Sequence, residues 1–171
     1  MKLYDCKMAA NPRRARIFIT EKGIRIPKVE LDIVEGENLE PEFLKINPRG
    51  LLPTLELDDG TRFDDVMAIY HYFEEIQPDP RLLGRDARKI VLVESNQRQI
   101  EFEGMIAGSE IFRNQHERFA ERSIPGGGPD SIPAIPALVD HGRQTLGRFF
   151  DGLEGYLEAN DRVAARPSAQ A

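Results

Sequence analysis

Every strand-like run in this chain lies before residue 64; the remainder reads as helix or loop. That division asks for a small sheet closed within the first half, followed by an all-helical half. Lys2–Tyr4 is a short apolar opening. Asn11-Pro12 reads as a helix start, with Arg13 to Lys22 carrying apolar Ala15, Ile17, Phe18 and Ile19, and Gly23 as the exit. Lys28–Ile33 alternates Val29, Leu31 and Ile33 on one face, as a half-buried strand does. Pro41–Ile46 reads as a short helix and Asn47-Pro48-Arg49-Gly50 as a turn. Leu55–Leu57 and Thr61–Phe63 flank Asp58-Asp59-Gly60, a hairpin pattern. A third helix opens near Asp64 or Asp65 and runs through Ala68, Tyr72 and Ile76 to Pro78 and Pro80. The order βαβ, short helix, ββ, α predicts a four-stranded mixed sheet. The first two strands are parallel across a crossover helix and the last two antiparallel.

In the second half, Asp86 caps a predicted helix reaching about Arg122. Its apolar positions, among them Ile90, Val93, Ile100, Met105, Ile111 and Phe119, keep helical spacing with slips. Ser123–Pro133 is a Pro/Gly-rich loop, and Ala134–Leu157 holds a 3.6-residue apolar period. The expected organisation is a domain over 1–80, a linker over 81–85, a helical domain over 86–160 and a disordered tail over 161–171.

Composition narrows function by exclusion. The 171 residues carry 29 acidic against 23 basic side chains, a net charge of -6. Both sides of Gly84 are acidic, with 12 basic and 16 acidic residues before it and 11 and 13 after. Such a surface argues against binding nucleic acid through its phosphates, or docking on anionic lipid. One cysteine excludes an intrachain disulfide and any zinc site built on several Cys. His71, His116 and His141 show no ligand spacing, so no metal is expected. No apolar run approaches bilayer length, and MKLYDCKM lacks a secretory apolar core. The expectation is a cytoplasmic protein.

Chemistry concentrates in Asn47–Glu75, NPRGLLPTLELDDGTRFDDVMAIYHYFEE. Its Asn-Pro, Gly, hydrophobic-Pro pair, strand, Asp-Gly and acidic helix opening resemble the glutathione transferases. With MKLYD and the Asn-Pro-Arg-Arg helix start, the likeness covers residues 1 to about 84 and extends to bacterial, Asn-dependent, nu-like members. It implies a thioredoxin-like N-terminal domain followed by an all-helical domain. The second half resembles only the first helices of that domain, so a shortened C-terminal domain is expected.

The resemblance also implies a glutathione site. Pro53 matches the family's cis-proline, and Leu52 the residue whose backbone pairs with the cysteinyl part of glutathione. On the residues alone, Pro53 equally suits a trans turn with no ligand. Asp65 matches the acidic position facing the glutathione amine, while Val66 replaces the family's Ser and leaves only a main-chain N–H for the γ-glutamyl carboxylate. Asp65 also reads as a plain helix cap. Ala9 and Ala10 fall at the usual Ser or Cys positions, and Asn11 matches the activating amide. A free thiol is only about one in thirty ionised at neutral pH, so a donor at a helix N-terminus would help hold a thiolate. Asn11 equally reads as a helix cap, and the two roles are compatible. Phe102, Met105, Ile106 and Phe112 read as an acceptor-pocket wall, as core or as dimer interface. The implied activity is attack of glutathione thiolate on a small electrophile or a disulfide, by a homodimer with glutathione as co-substrate. A non-catalytic binding or dimerisation module of the same family is the alternative.

Overall fold

The first strand organises the sheet. β1 (Lys2–Asp5) pairs in parallel with β2 (Lys28–Glu30), Leu3 opposite Lys28, and antiparallel with β3 (Thr54–Glu56), Tyr4 opposite Thr54. β4 (Arg62–Phe63) adds to β3, completing the order β2-β1-β3-β4. These are features of a computed structural model that describes residues 1–126 and 131–160. Its contacts divide the chain into two units, one of Met1–Leu83 with Glu121–Pro133, the other of Gly84–Ala120 with the chain from Ala134 onward.

In the first unit, helix α1 (Ala10–Glu21) carries the chain from β1 to β2, which is why those strands run parallel. It buries Ala15, Phe18 and Ile19, and Phe18 stacks on Tyr70 at 4.1 Å between ring centroids. Tyr70 belongs to α3 (Val66–Ile76), which seats Ile69 and Phe73 out of solvent with Leu3 and Leu55 of the sheet. The short α2 (Pro41–Leu44) places Phe43 against Tyr4. α1 ends as Gly23 predicts. At φ +70° its N–H reaches Thr20 O (2.8 Å), and the Ile24 N–H returns to Ile19 O (3.1 Å).

The same helix end holds an ion pair that no local pattern announces. Lys22 Nζ pairs with the Glu74 carboxylate, their side chains 0% and 4% exposed, and also donates to Gln77 O (2.9 Å) and Pro80 O (2.6 Å). Glu74 accepts the N–H groups of Leu83 (2.9 Å) and Leu82 (3.2 Å). Burial alone would raise the Glu74 pKa. The Lys22 ammonium and the two N–H donors outweigh it and hold the carboxyl below its ordinary value.

Some boundaries differ from expectation. β2 stops at Glu30 and is exposed, not half-buried to Ile33. The Leu31 N–H makes the last bond to β1, at Asp5 O, and Asp32 Oδ1 then takes the Val34 and Glu35 N–H groups and turns the chain. α1 starts before Asn11. Ala9 is the N-cap, without a side-chain cap, and its carbonyl receives the Arg13 N–H (3.1 Å). Pro12 has no N–H to lose and fits the first turn as well as its first position.

The second unit is helical, in more pieces than one long helix. Asp86 caps α4 (Ala87–Gln99) through the Lys89 N–H, as expected. A π-helical stretch, Ile100–Met105, then absorbs the slip in apolar spacing before α5 (Ile106–Gln115). His116 is extended and ends α5; a 3₁₀ turn, Glu117–Phe119, comes next. α6 (Ala137–Ala159) begins after Pro136, later than the apolar period suggests. α5 and α6 approach closely at Gly142, where a Cβ would lie 2.7 Å from Ala107 O. The expected disordered tail, 161–171, lies outside the described residues.

Candidate functional site

Strand pairing brings the singled-out segments to one end of the sheet. β1 ends where β3 begins, because Tyr4 faces Thr54. β3 begins where β4 ends, because Leu55 faces Phe63. The start of α1, the Leu52-Pro53 step and the start of α3 therefore leave the sheet on the same side.

The β1–α1 connection is braced by Arg16. Its Nη1 pairs with the buried Asp5 carboxylate and donates to Cys6 O (3.0 Å), while Nη2 donates to Lys7 O (3.1 Å). Asp5 Oδ1 also accepts the Cys6 N–H (2.8 Å). This places the N-terminus of α1 at the sheet end, with the Ala10 and Asn11 N–H groups unpaired among the described residues. Asn11 is exposed at the second helical position. Its Oδ1 accepts from Arg14 Nη1 (3.1 Å), not from the helix start. The capping role expected of Asn11 is thus corrected, and its amide NH₂ donates to no described group.

The turn before Pro53 is held from beneath. The Asn47 side chain accepts the Arg49 N–H (3.0 Å) and donates to Leu51 O (3.1 Å) and Thr54 Oγ1 (3.0 Å). Thr54 Oγ1 donates to Leu51 O (2.8 Å), and buried Asn38 Nδ2 to Gly50 O (2.7 Å). The Leu52–Pro53 peptide bond is cis, as the family pattern implies. Neither the N–H nor the C=O of Leu52 has a partner among the described residues. Asp65 is the N-cap of α3, Oδ1 taking the Ala68 N–H (2.9 Å). Val66 is buried, and its N–H and that of Met67 find no acceptor among the described residues. Arg49 Nη1 reaches both oxygens of Asp64 (3.1 and 3.0 Å), joining the turn to the entrance of α3.

Sequence reasoning passed over Arg16, Asn47, Arg49 and Thr54 as bracing groups. The Asn47-Pro48 turn was the available signal, because Asn at a turn start commonly binds the N–H two residues on. Tyr4 and Cys6 are buried, and His71 is exposed. In the second unit Phe102, Ile106 and Phe112 are exposed and Met105 half-buried. Among the described residues no group of three or more His, Cys, Asp or Glu could hold a metal ion. No helix among them is long and apolar enough to cross a membrane.

Residues 3–81 match the family model described as glutathione S-transferase, N-terminal domain. A zeta-class glutathione S-transferase of Euphorbia esula is 37% identical over 168 residues, covering 95% of this chain and 69% of that protein. The chain belongs to the glutathione S-transferase family. Glutathione S-transferase 2 of Saccharomyces cerevisiae is 30% identical over 132 residues, 76% of this chain and 53% of that one. The crystal structure of Gtt2 from Saccharomyces cerevisiae superposes with a TM-score of 0.81 at 26% identity, covering 96% of this chain and 77% of that one. The fold is that of the family, a thioredoxin-like domain with a mixed sheet followed by helices. The chain spans about half the length of the first curated relatives it matches. Within a glutathione S-transferase frame, the unpaired Leu52 groups and the two helix N-termini stand at the same end of the sheet.

Proposed function

We propose that this chain binds glutathione and stabilises its thiolate for attack on a small electrophile or a disulfide. The observation that carries the reading is the pair of unpaired main-chain groups on Leu52, beside Pro53, at the sheet end where α1 and α3 begin. An extended tripeptide would pair with Leu52 as an added strand does. The Val66 and Met67 N–H groups would receive the γ-glutamyl carboxylate, and the exposed Asp65 carboxylate would face the amine. The sulfur would lie at the N-terminus of α1, where the unpaired N–H groups and the Asn11 NH₂ favour the anion. The thiolate then forms a bond to the electrophilic centre as the leaving group departs with its electron pair, and stabilising that anion supplies most of the catalysis. The proposal includes a homodimer and a cytoplasmic setting.

The test is a glutathione titration following heat and thiolate absorbance near 240 nm on one sample. Saturable binding with a thiolate signal at neutral pH is expected, the signal falling in Asn11→Ala while binding persists. No binding by folded protein sinks the reading. A second reading, a non-catalytic binding module, is favoured by two positions without a hydroxyl or thiol, Ala9 at the α1 cap and Val66 at the first position of α3. Binding without a thiolate signal would select it.

A further inference from the structure

Residues 121–126 come from the helical half of the sequence, yet they belong to the first unit. Arg122 donates from Nη1 to Ile33 O (2.9 Å) and from Nη2 to Val34 O (2.6 Å), on the turn after β2. Four residues on, Gly126 is buried at φ +72° against the other loop. A Cβ there would overlap the Arg49 carbonyl oxygen and lie 3.0 Å from Leu51 Cδ2. Ser123 closes the base of the segment, its N–H and Oγ both donating to Ile132 O (2.9 and 3.0 Å). One short piece of chain thus grips two loops of the sheet domain.

We infer that Arg122 and Gly126 are positioning residues for the glutathione site, holding the Arg49–Leu51 turn so that the Leu52 main chain faces the ligand. The inference rests on the proposed glutathione binding. Asn38, Asn47 and Thr54 tether the Gly50 and Leu51 carbonyls from the sheet side. Gly126 is the wall on the Arg49 carbonyl. Leu52 is the first residue past these restraints, so a shift of Arg49 or Leu51 carries its N–H and C=O away from the ligand. Hydrogen bonds weaken steeply with such misalignment. Glycine is required at 126 twice over, by the left-handed backbone and by contact with a main-chain oxygen that cannot swing aside like a side chain. Arg122 anchors the segment at two carbonyls at once, which a lysine ammonium does not reproduce in the same fork geometry.

The experiment compares glutathione calorimetry and amide hydrogen exchange of the ligand-free protein for the natural chain, Gly126→Ala, Arg122→Ala and Gly23→Ala. Gly23→Ala is the control. Gly23 has the same left-handed backbone, φ +70°, but nothing within 4 Å of an added Cβ. It lies at the far end of α1, roughly 18 Å from the helix start. It therefore lowers Tm without touching the turn. Gly126→Ala should raise the glutathione Kd about tenfold, the scale of one lost or misaligned hydrogen bond, and speed exchange over residues 49–52. Arg122→Ala should raise Kd about threefold and speed exchange over 33–37 as well. Gly23→Ala should keep Kd within about twofold. A wild-type Kd in Gly126→Ala, or an equal loss in Gly23→Ala, overturns the inference alone. A natural chain that does not bind glutathione overturns the glutathione reading and this role together. If Gly126→Ala does not fold, Arg122→Ala decides, an unchanged Kd overturning the inference.

Discussion

Helices α3 and α4 are of similar length and stand in different units, but they hold themselves in place by opposite means. α3 buries Val66, Met67, Ile69, Tyr70, Phe73 and Glu74. α4 buries no residue and leaves Ile90, Val91 and Leu92 in solvent. The first unit is thus closed by side chains sealed from water, including a charged pair. The second also seals Phe119, but it leans on the close approach of α5 and α6, and its described pairs of Arg98 with Glu94 and Glu101 are at least partly solvated. The lesson is that substitutions of like chemistry should differ in cost by their unit, since an ion pair or an apolar contact matters in proportion to the water it excludes.

The sharpest way to break this contrast is Lys22→Ala. It strands the Glu74 carboxylate in the core and should cost about 3–5 kcal/mol, measured by denaturant unfolding. A loss no larger than that of a surface pair would show that the first unit is not sealed as described. In the second unit, Gly142→Ala forces a methyl against Ala107 O and Ile111 and should cost about 1–3 kcal/mol by the same measurement. The contrast also has a pH signature. Glu74 is held below its ordinary pKa of 4.5, so its contribution is complete above that pH and is lost as pH falls through the lowered value. The protection of α1 and α3 amides, taken relative to the intrinsic exchange rate at each pH, should therefore fall below about pH 4.5, and this acid sensitivity should disappear in Glu74→Gln. The smallest effect is expected at Val91→Gln on the exposed face of α4, within about 0.5 kcal/mol. A loss well above that would mean the face is covered in solution.

Legibility followed the range of the forces involved. The β3–β4 hairpin, the Gly23 exit, the Asp65 and Asp86 caps and the parallel β1–β2 pair were readable, because turn chemistry and capping act within a few residues. At the candidate site, Leu52, Pro53, Asp65 and Val66 were singled out through the family pattern, and strand pairing puts their segments at one sheet end. Asn11 was singled out too, but its expected cap was wrong by two residues. The Ala9 carbonyl begins the helix, and the Asn11 oxygen accepts from Arg14 instead of capping it. Partners distant in sequence were invisible: Lys22 with Glu74, Arg16 with Asp5, and Arg122 with Ile33 and Val34. Each is a charged residue in a stretch that reads locally as solvated helix or loop. The π-helical stretch showed only as a slip in spacing, since its extra residue moves the apolar stripe without changing residue types.

Cys6 is the chain's only cysteine, and it is buried where Arg16 holds its carbonyl. A thiol reagent can reach that sulfur only when the connection into α1 opens. Labelling then proceeds at the intrinsic chemical rate multiplied by the open fraction. The unaltered protein therefore carries a chemical timer at the entrance of its first helix. A ligand that settles on that helix end should slow the timer, with no probe attached and no residue exchanged.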